Sequence, residues 1–216
     1  MHRRDVPRRG VLRAAALATI GAALAVPMVT TPRGRVPELD VEGLLFDPYT
    51  PTGGNPEGDV TIVAFFDYNC GYCRRSAPAL ARLLREDGNI RLVYKDWPIL
   101  AESSVVAAQL ALAAHYQGKY ALAHKTLMEL KGKLTTERMA DALGKAGIDR
   151  KRLSADLGSH AAEIGDLLKR NNEQAQALEL PGTPVYLVGP FKVAAALDYQ
   201  GFRDVVGDAR ARASEK

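Results

Sequence analysis

The residue pattern of this 216-residue chain changes period twice, and that change limits the folds open to it. Val60 to Phe66, "VTIVAFF", is an apolar, β-branched run without alternation, the mark of a strand covered on both faces. "IRLVYKDWP" (Ile90 to Pro98) reads as a second strand. From Ile99 to about Leu180 the pattern is helical, and then "PVYLV" and "FKVAAAL" flank Gly189-Pro190 as a hairpin in outline. The order strand, helix, strand, long helical segment, strand, strand, helix predicts an α/β class in which one layer is built from two halves separated by a helical insertion. The expected organisation is an α/β first half over 59–98, an insertion over 99–180 and a second half over 181–214.

Turn and cap residues place the helices. "RRSAPALARLLRED" has helical period, with Pro78 inside it as an expected kink and Gly88 closing it. Ser103 and Ser104 are expected to cap "VVAAQLALAAHYQ", and Thr135 and Thr136 to cap "ERMADALGKA", which Gly147 ends. Asp149 opens a short helix, "SHAAEIGDLLKRNNEQAQAL" is a longer one, and "YQGFRDVVGDARARA" closes the chain as an amphipathic helix. Residues 26–58, rich in Pro, Gly and Thr, read as an extended leader with turns.

The net charge of +4 is local. Arg3, Arg4, Arg8, Arg9 and Arg13 against Asp5 account for all of it, so the remainder is formally neutral and carries no nucleic-acid footprint. The basic start precedes an uncharged stretch, Ala14 to Pro32, which contains "ALA" at Ala23 to Ala25. This is the plan of an export signal over residues 1–25, and "RRGVLR" (Arg8 to Arg13) resembles a twin-arginine signal. An uncleaved N-terminal membrane anchor is the alternative, against which Pro27 and the low Leu and Ile content count. The chain is therefore expected outside the cytoplasm, in a periplasmic or other extracytoplasmic compartment where disulfides persist.

The only cysteines are Cys70 and Cys73, in "FFDYNCGYCRR". A loop closed over two residues is too short for an ordinary structural staple. Zinc needs about four ligands. The histidines His2, His115, His124 and His160 show no ligand spacing beside the pair, so no metal or other cofactor is expected, and no histidine is assigned a role. Thiol exchange fits better. The pair follows a buried strand and opens a helix, whose N-terminus stabilises an anionic sulfur. Cys70 is then the attacking thiolate and Cys73, one turn in, the less exposed resolving group. Arg74 and Arg75 add positive charge nearby or form a solvated face.

More of the chain agrees with this arrangement. "GNPEGDVTIVAFFDYNCGYCRRSAP", "VYKDWPIL" and "GTPVYLVG" together resemble bacterial DsbA-family thiol:disulfide interchange proteins of the thioredoxin superfamily. That resemblance implies a thioredoxin-like fold with a helical insertion, and a cis Thr183–Pro184 bond beside Cys70 and Cys73. It implies disulfide exchange with cysteine-containing exported proteins, most simply as an oxidase, and a separate redox partner protein. The active-site dipeptide Gly71-Tyr72, with Thr183 before the proline, is similar to the disulfide isomerase branch. Residues 26–58 are too few and too polar for that branch's dimerisation domain, so a monomer is expected. The family often has an acid six residues before the first cysteine; here it is Ala64, leaving Asp67, Lys95 and Asp96 as the possible proton relay. Isomerase or reductant activity, and a non-enzymatic thiolate metal-binding or holdase module, are the competing functions.

Overall fold

A computed structural model describes residues 39–215. The chain runs through α1 (Val41–Phe46), β1 (Thr52–Gly54), β2 (Val60–Phe66), α2 (Gly71–Asp87) and β3 (Ile90–Asp96). Five helices follow: α3 (Glu102–His115), α4 (Tyr120–Glu129), α5 (Thr136–Lys145), α6 (Arg150–Ser159) and α7 (Ala161–Ala177). β4 (Val185–Val188), β5 (Phe191–Val193) and α8 (Tyr199–Ser214) complete it. The five strands form one sheet in the order β1-β3-β2-β4-β5. β2 lies at its centre, parallel to β3 and antiparallel to β4, with Ala64 opposite both Tyr94 and Tyr186. The fold is α/β and thioredoxin-like.

The unbroken apolar run of β2 is explained by layers on both faces of the sheet. Ile62, Ala64 and Phe66 join Leu92, Tyr94, Tyr186, Leu80 of α2, Leu127 of α4 and Phe202 of α8 in the larger core. Val63 and Phe65 face the other way, onto Leu44 of α1, Val93, Trp97 and Ala175 of α7. Successive strand residues point to opposite faces, so the side-chain sets separate by parity. α3 is buried on nearly every side, from Ala107 through Ala114, as its continuous Ala and Leu content requires.

The structure departs from the sequence expectations in local ways. The described part of 26–58 is not all extended: α1 forms there, capped by Asp40, and "TGG" pairs with β3 as the edge strand β1. α3 begins after Ala101, which makes no side-chain cap; Ser103 and Ser104 fall inside its first turn. Thr135 and Asp149 do cap their helices, and Gly88 ends α2 at φ 71°. Among the described residues no helix is long and apolar enough to cross a membrane. The expected export signal or anchor, with Arg8 and Arg9, lies outside the described residues.

Candidate active site

β2 delivers the chain to the mouth of the sheet, and the turn Asp67-Tyr68-Asn69 sets Cys70 at the N-cap of α2. Cys70 is extended, at φ −74° and ψ 112°, and its Sγ accepts the N–H of Cys73 at 3.3 Å. The sulfur thus takes the place that a Ser or Asp oxygen fills in an ordinary cap. On its other side the Cys70 thiol donates to the Thr183 carbonyl at 3.2 Å. The Thr183–Pro184 bond is cis. Residues 113 positions apart therefore meet at one sulfur.

The two thiols differ in surroundings. They are not bonded to each other, and both are largely buried, Cys70 at 5% and Cys73 at 2% exposure. Burial pushes the Cys73 thiol far above its usual range; a backbone hydrogen bond with Asp67 opposes this only in part. At neutral pH Cys73 is a neutral thiol. Beside the pair, Gly71 opens onto free space and Tyr72 is 59% exposed, with the Arg75 guanidinium 4.4 Å above its ring. Arg74 does not form a solvated face: it donates to the carbonyls of Tyr68 and Leu130, fastening α2 to the turn before it and to the end of α4. A groove of about 670 Å³ runs from Tyr72 and Arg75 along Thr183 and Pro184 to Leu197.

The three residues expected to serve as a proton relay separate. Asp67 has both carboxylate oxygens engaged: Oδ1 accepts from Asn69 N–H and Ser104 hydroxyl, Oδ2 from the N–H groups of Ile99 and Leu100. It is a bracket between the active-site turn and the start of the insertion. Lys95 is wholly buried, but its Nζ reaches Thr50 Oγ1 at 3.4 Å. It pairs in register with Phe65, on the face away from the cysteines, because strand parity opposes it to Tyr94 and Asp96. Burial lowers it to about 8. Only Asp96 turns to the cysteine face. Its Oδ2 accepts from the Tyr120 hydroxyl at 2.5 Å, and burial raises its carboxyl to about 7.

Sequence reasoning passed over the space behind Cys73. A cavity of about 50 Å³ is lined by Cys73, Ala64, Tyr94, His124 and Tyr186, among others. Nothing local in "YALAHKTLME" marks His124, because its partners come from β3 and from the turn after β2. Among the described residues no group of three or more His, Cys, Asp or Glu side chains is placed to hold a metal.

Comparison with known proteins agrees with this geometry. A family model described as thioredoxin matches residues 47–208. A thioredoxin-like oxidoreductase from Silicibacter pomeroyi superposes with a TM-score of 0.75 at 40% identity, over 80% of this chain and 98% of that one. The thiol-disulfide exchange protein α-DsbA2 of Wolbachia pipientis gives 0.73 at 28% identity, over 77% and 90%. Among curated proteins, Na(+)/H(+) antiporter NhaA 1 of Salinispora arenicola is 30% identical over 85% of this chain, which spans only 30% of that relative's length. The match over 47–208 takes in β2, the cysteine turn, the insertion and the Thr183–Pro184 loop together, and on it the chain belongs to the thioredoxin family.

Proposed function

We propose that this chain is an exported thiol:disulfide oxidoreductase that works as a monomer in the oxidising direction through Cys70 and Cys73. The observation that carries the reading is the setting of Cys70 Sγ, between the Cys73 N–H at the end of α2 and the Thr183 carbonyl. A donor at a helix N-terminus holds a sulfur anion, whereas the buried Cys73 stays protonated. The pair is thus built for one attacking and one resolving sulfur. In oxidation, a substrate thiolate attacks Cys70 of the Cys70–Cys73 disulfide and Cys73 leaves. The substrate's second thiolate then displaces Cys70, leaving an oxidised substrate and the reduced pair. The groove past Tyr72 and Pro184 accommodates an extended, cysteine-containing segment of an exported protein, and a redox partner protein reoxidises the pair. Export is supported by the basic and apolar N-terminal sequence, and by similarity to a periplasmic thioredoxin-like protein from Salmonella enterica, at 26% identity.

The test is trapping with single-cysteine variants. Cys70→Ser abolishes exchange with a reduced substrate protein. Cys73→Ser retains attack at Cys70 but cannot resolve, so mixed disulfides accumulate on a non-reducing gel. Adducts forming through Cys73 in Cys70→Ser overturn the assignment of roles. Gly71-Tyr72 with Thr183 favours isomerase or reductant direction as a second reading, and the reduction potential of the pair separates the two.

A further inference from the structure

Two arginines follow the cysteine pair, and the fold uses them differently. Arg74 directs its guanidinium to the carbonyls of Tyr68 and Leu130. Arg75, the next residue, is exposed and lies over the Tyr72 ring at 4.4 Å. Among the described residues no carboxylate forms an ion pair with it. Tyr72 and Arg75 both line the groove of about 670 Å³ that passes Thr183 and Pro184. In that lining Arg75 is the one cation and Asp198 the one acid, and Asp198 already caps α8 by accepting the Gly201 N–H. The remaining lining carries no charge, and Ala194 to Ala196 leave room for a passing chain.

We propose that Arg75, steadied by Tyr72, selects substrates that carry a carboxylate about two to three residues from the reacting cysteine. This deepens the exchange reading above and rests on it. Arg75 follows Cys70 by five positions, about 7.5 Å along the axis of α2. An extended peptide rises about 3.3 Å per residue. A substrate cysteine seated at Cys70 therefore brings the side chain about two to three residues away to the guanidinium. Tyr72 and Arg75 are three apart on α2 and share one face of that helix. Stacking on the ring sets the plane of the guanidinium and leaves its N–H edge open to both oxygens of a carboxylate. Ordering Arg75 before the substrate arrives reduces the entropy lost on binding.

Charge elsewhere does not supply the same selection. Beyond residue 25 the chain is formally neutral, so net charge draws no class of substrate to it. A preference for acidic segments has to come from a local cation, and in the groove that cation is Arg75. Arg75 takes no part in the bond changes, which remain those of the exchange step.

The experiment uses the full chain carrying Cys73→Ser, in which Cys70 attacks and the adduct persists. Single-cysteine peptides, activated with 2-thiopyridine and otherwise uncharged, carry Glu, Gln or Lys two or three residues to either side of the cysteine. Thiopyridone release gives the rate of adduct formation, and division by the rate with 2-mercaptoethanol removes the intrinsic reactivity of each peptide. On one flank the Glu peptide is expected to react about tenfold faster than the Lys peptide at low salt, with Gln between them. That ratio declines in about 0.5 M NaCl. Arg75→Gln brings it close to one, Arg75→Glu inverts it, Arg75→Lys keeps its direction and Tyr72→Ala weakens it. A ratio unaltered by Arg75→Gln overturns the assignment, as does a ratio near one with Arg75 in place, or a preference equal on both flanks. If Arg75→Gln does not fold, the one-flank preference and its decline with salt decide. A chain that forms adducts with none of the peptides overturns the exchange reading itself, which is a different outcome from exchange without selection.

Discussion

A carboxyl among tyrosines at 1% exposure is held away from its charged form, and Asp96 carries that tension into the stability of the fold. Its folded value is about 7 against an ordinary 3.8. Between those values the native state binds more protons than the unfolded chain, so stability falls as pH rises through the interval. At about 1.4 kcal/mol per unit, ionised Asp96 costs the fold on the order of 4 kcal/mol above pH 7. Asn keeps an acceptor for Tyr120 and carries no charge. Asp96→Asn is therefore expected to match the parent near pH 4 and to exceed it at pH 8 by up to about 4 kcal/mol, read from urea denaturation. A variant destabilised equally at both pH values shows that Asp96 is ionised in the native state throughout. At this scale the cysteines were legible because spacing, strand and helix start are local signals. The company of Asp96 was not: Tyr120 is 24 positions away, and Tyr68 and His124 are 56 apart, so no window of sequence contains the cluster.

Asp67 acts between elements. Three of its four accepted bonds fasten the turn before α2 to Ile99, Leu100 and Ser104 at the approach to α3, whose N-cap Ala101 has no side-chain acceptor of its own, and the fourth, from Asn69 N–H, holds the turn itself. Asn69 adds hydrogen bonds to Ser103 and Ser104. Asp67→Ala removes the charged acceptor and leaves the buried Ser104 hydroxyl without this partner, a loss of about 2–4 kcal/mol. Asp67→Asn retains one acceptor oxygen and loses less. Urea denaturation of the two variants against the parent checks this, and an alanine variant of parental stability shows that the bracket is not what joins turn to insertion. The position of Asp67, three before Cys70, reads in sequence as a proton acceptor. Its partners outside the turn lie more than 30 residues on, in a segment where Ser103 and Ser104 read as caps. Strand parity, in contrast, was available in advance: Lys95 and Asp96 are neighbours on β3 and cannot both face the cysteines.

At the scale of the molecule, the sheet closes only when β4 comes to lie against β2, which fixes Thr183 at Cys70 after the whole of α3 to α7 has been laid down. The two period changes made that division legible; the edge strand β1 and helix α1 were hidden by short, glycine- and proline-bounded sequence. The same closure sets the redox balance. A loop over two residues restricts the unfolded chain little, so forming the Cys70–Cys73 bond adds little entropic stability. What it removes is specific: the Cys73 N–H loses the free Cys70 sulfur as its acceptor at the N-terminus of α2, and the Thr183 carbonyl loses the Cys70 thiol as donor. Cys73, neutral in the reduced protein, offers no charge to compensate. The reduced form is therefore expected to be the more stable to urea at neutral pH. By the thermodynamic cycle each 1.4 kcal/mol of that difference raises the potential of the pair by about 30 mV, so a stabilised dithiol is an oxidising disulfide. Denaturation with and without reductant, beside equilibration of the pair with glutathione, measures both arms of the cycle. An oxidised form more stable than the reduced one reverses the direction of net transfer and makes the protein a reductant, in keeping with Gly71-Tyr72 and Thr183.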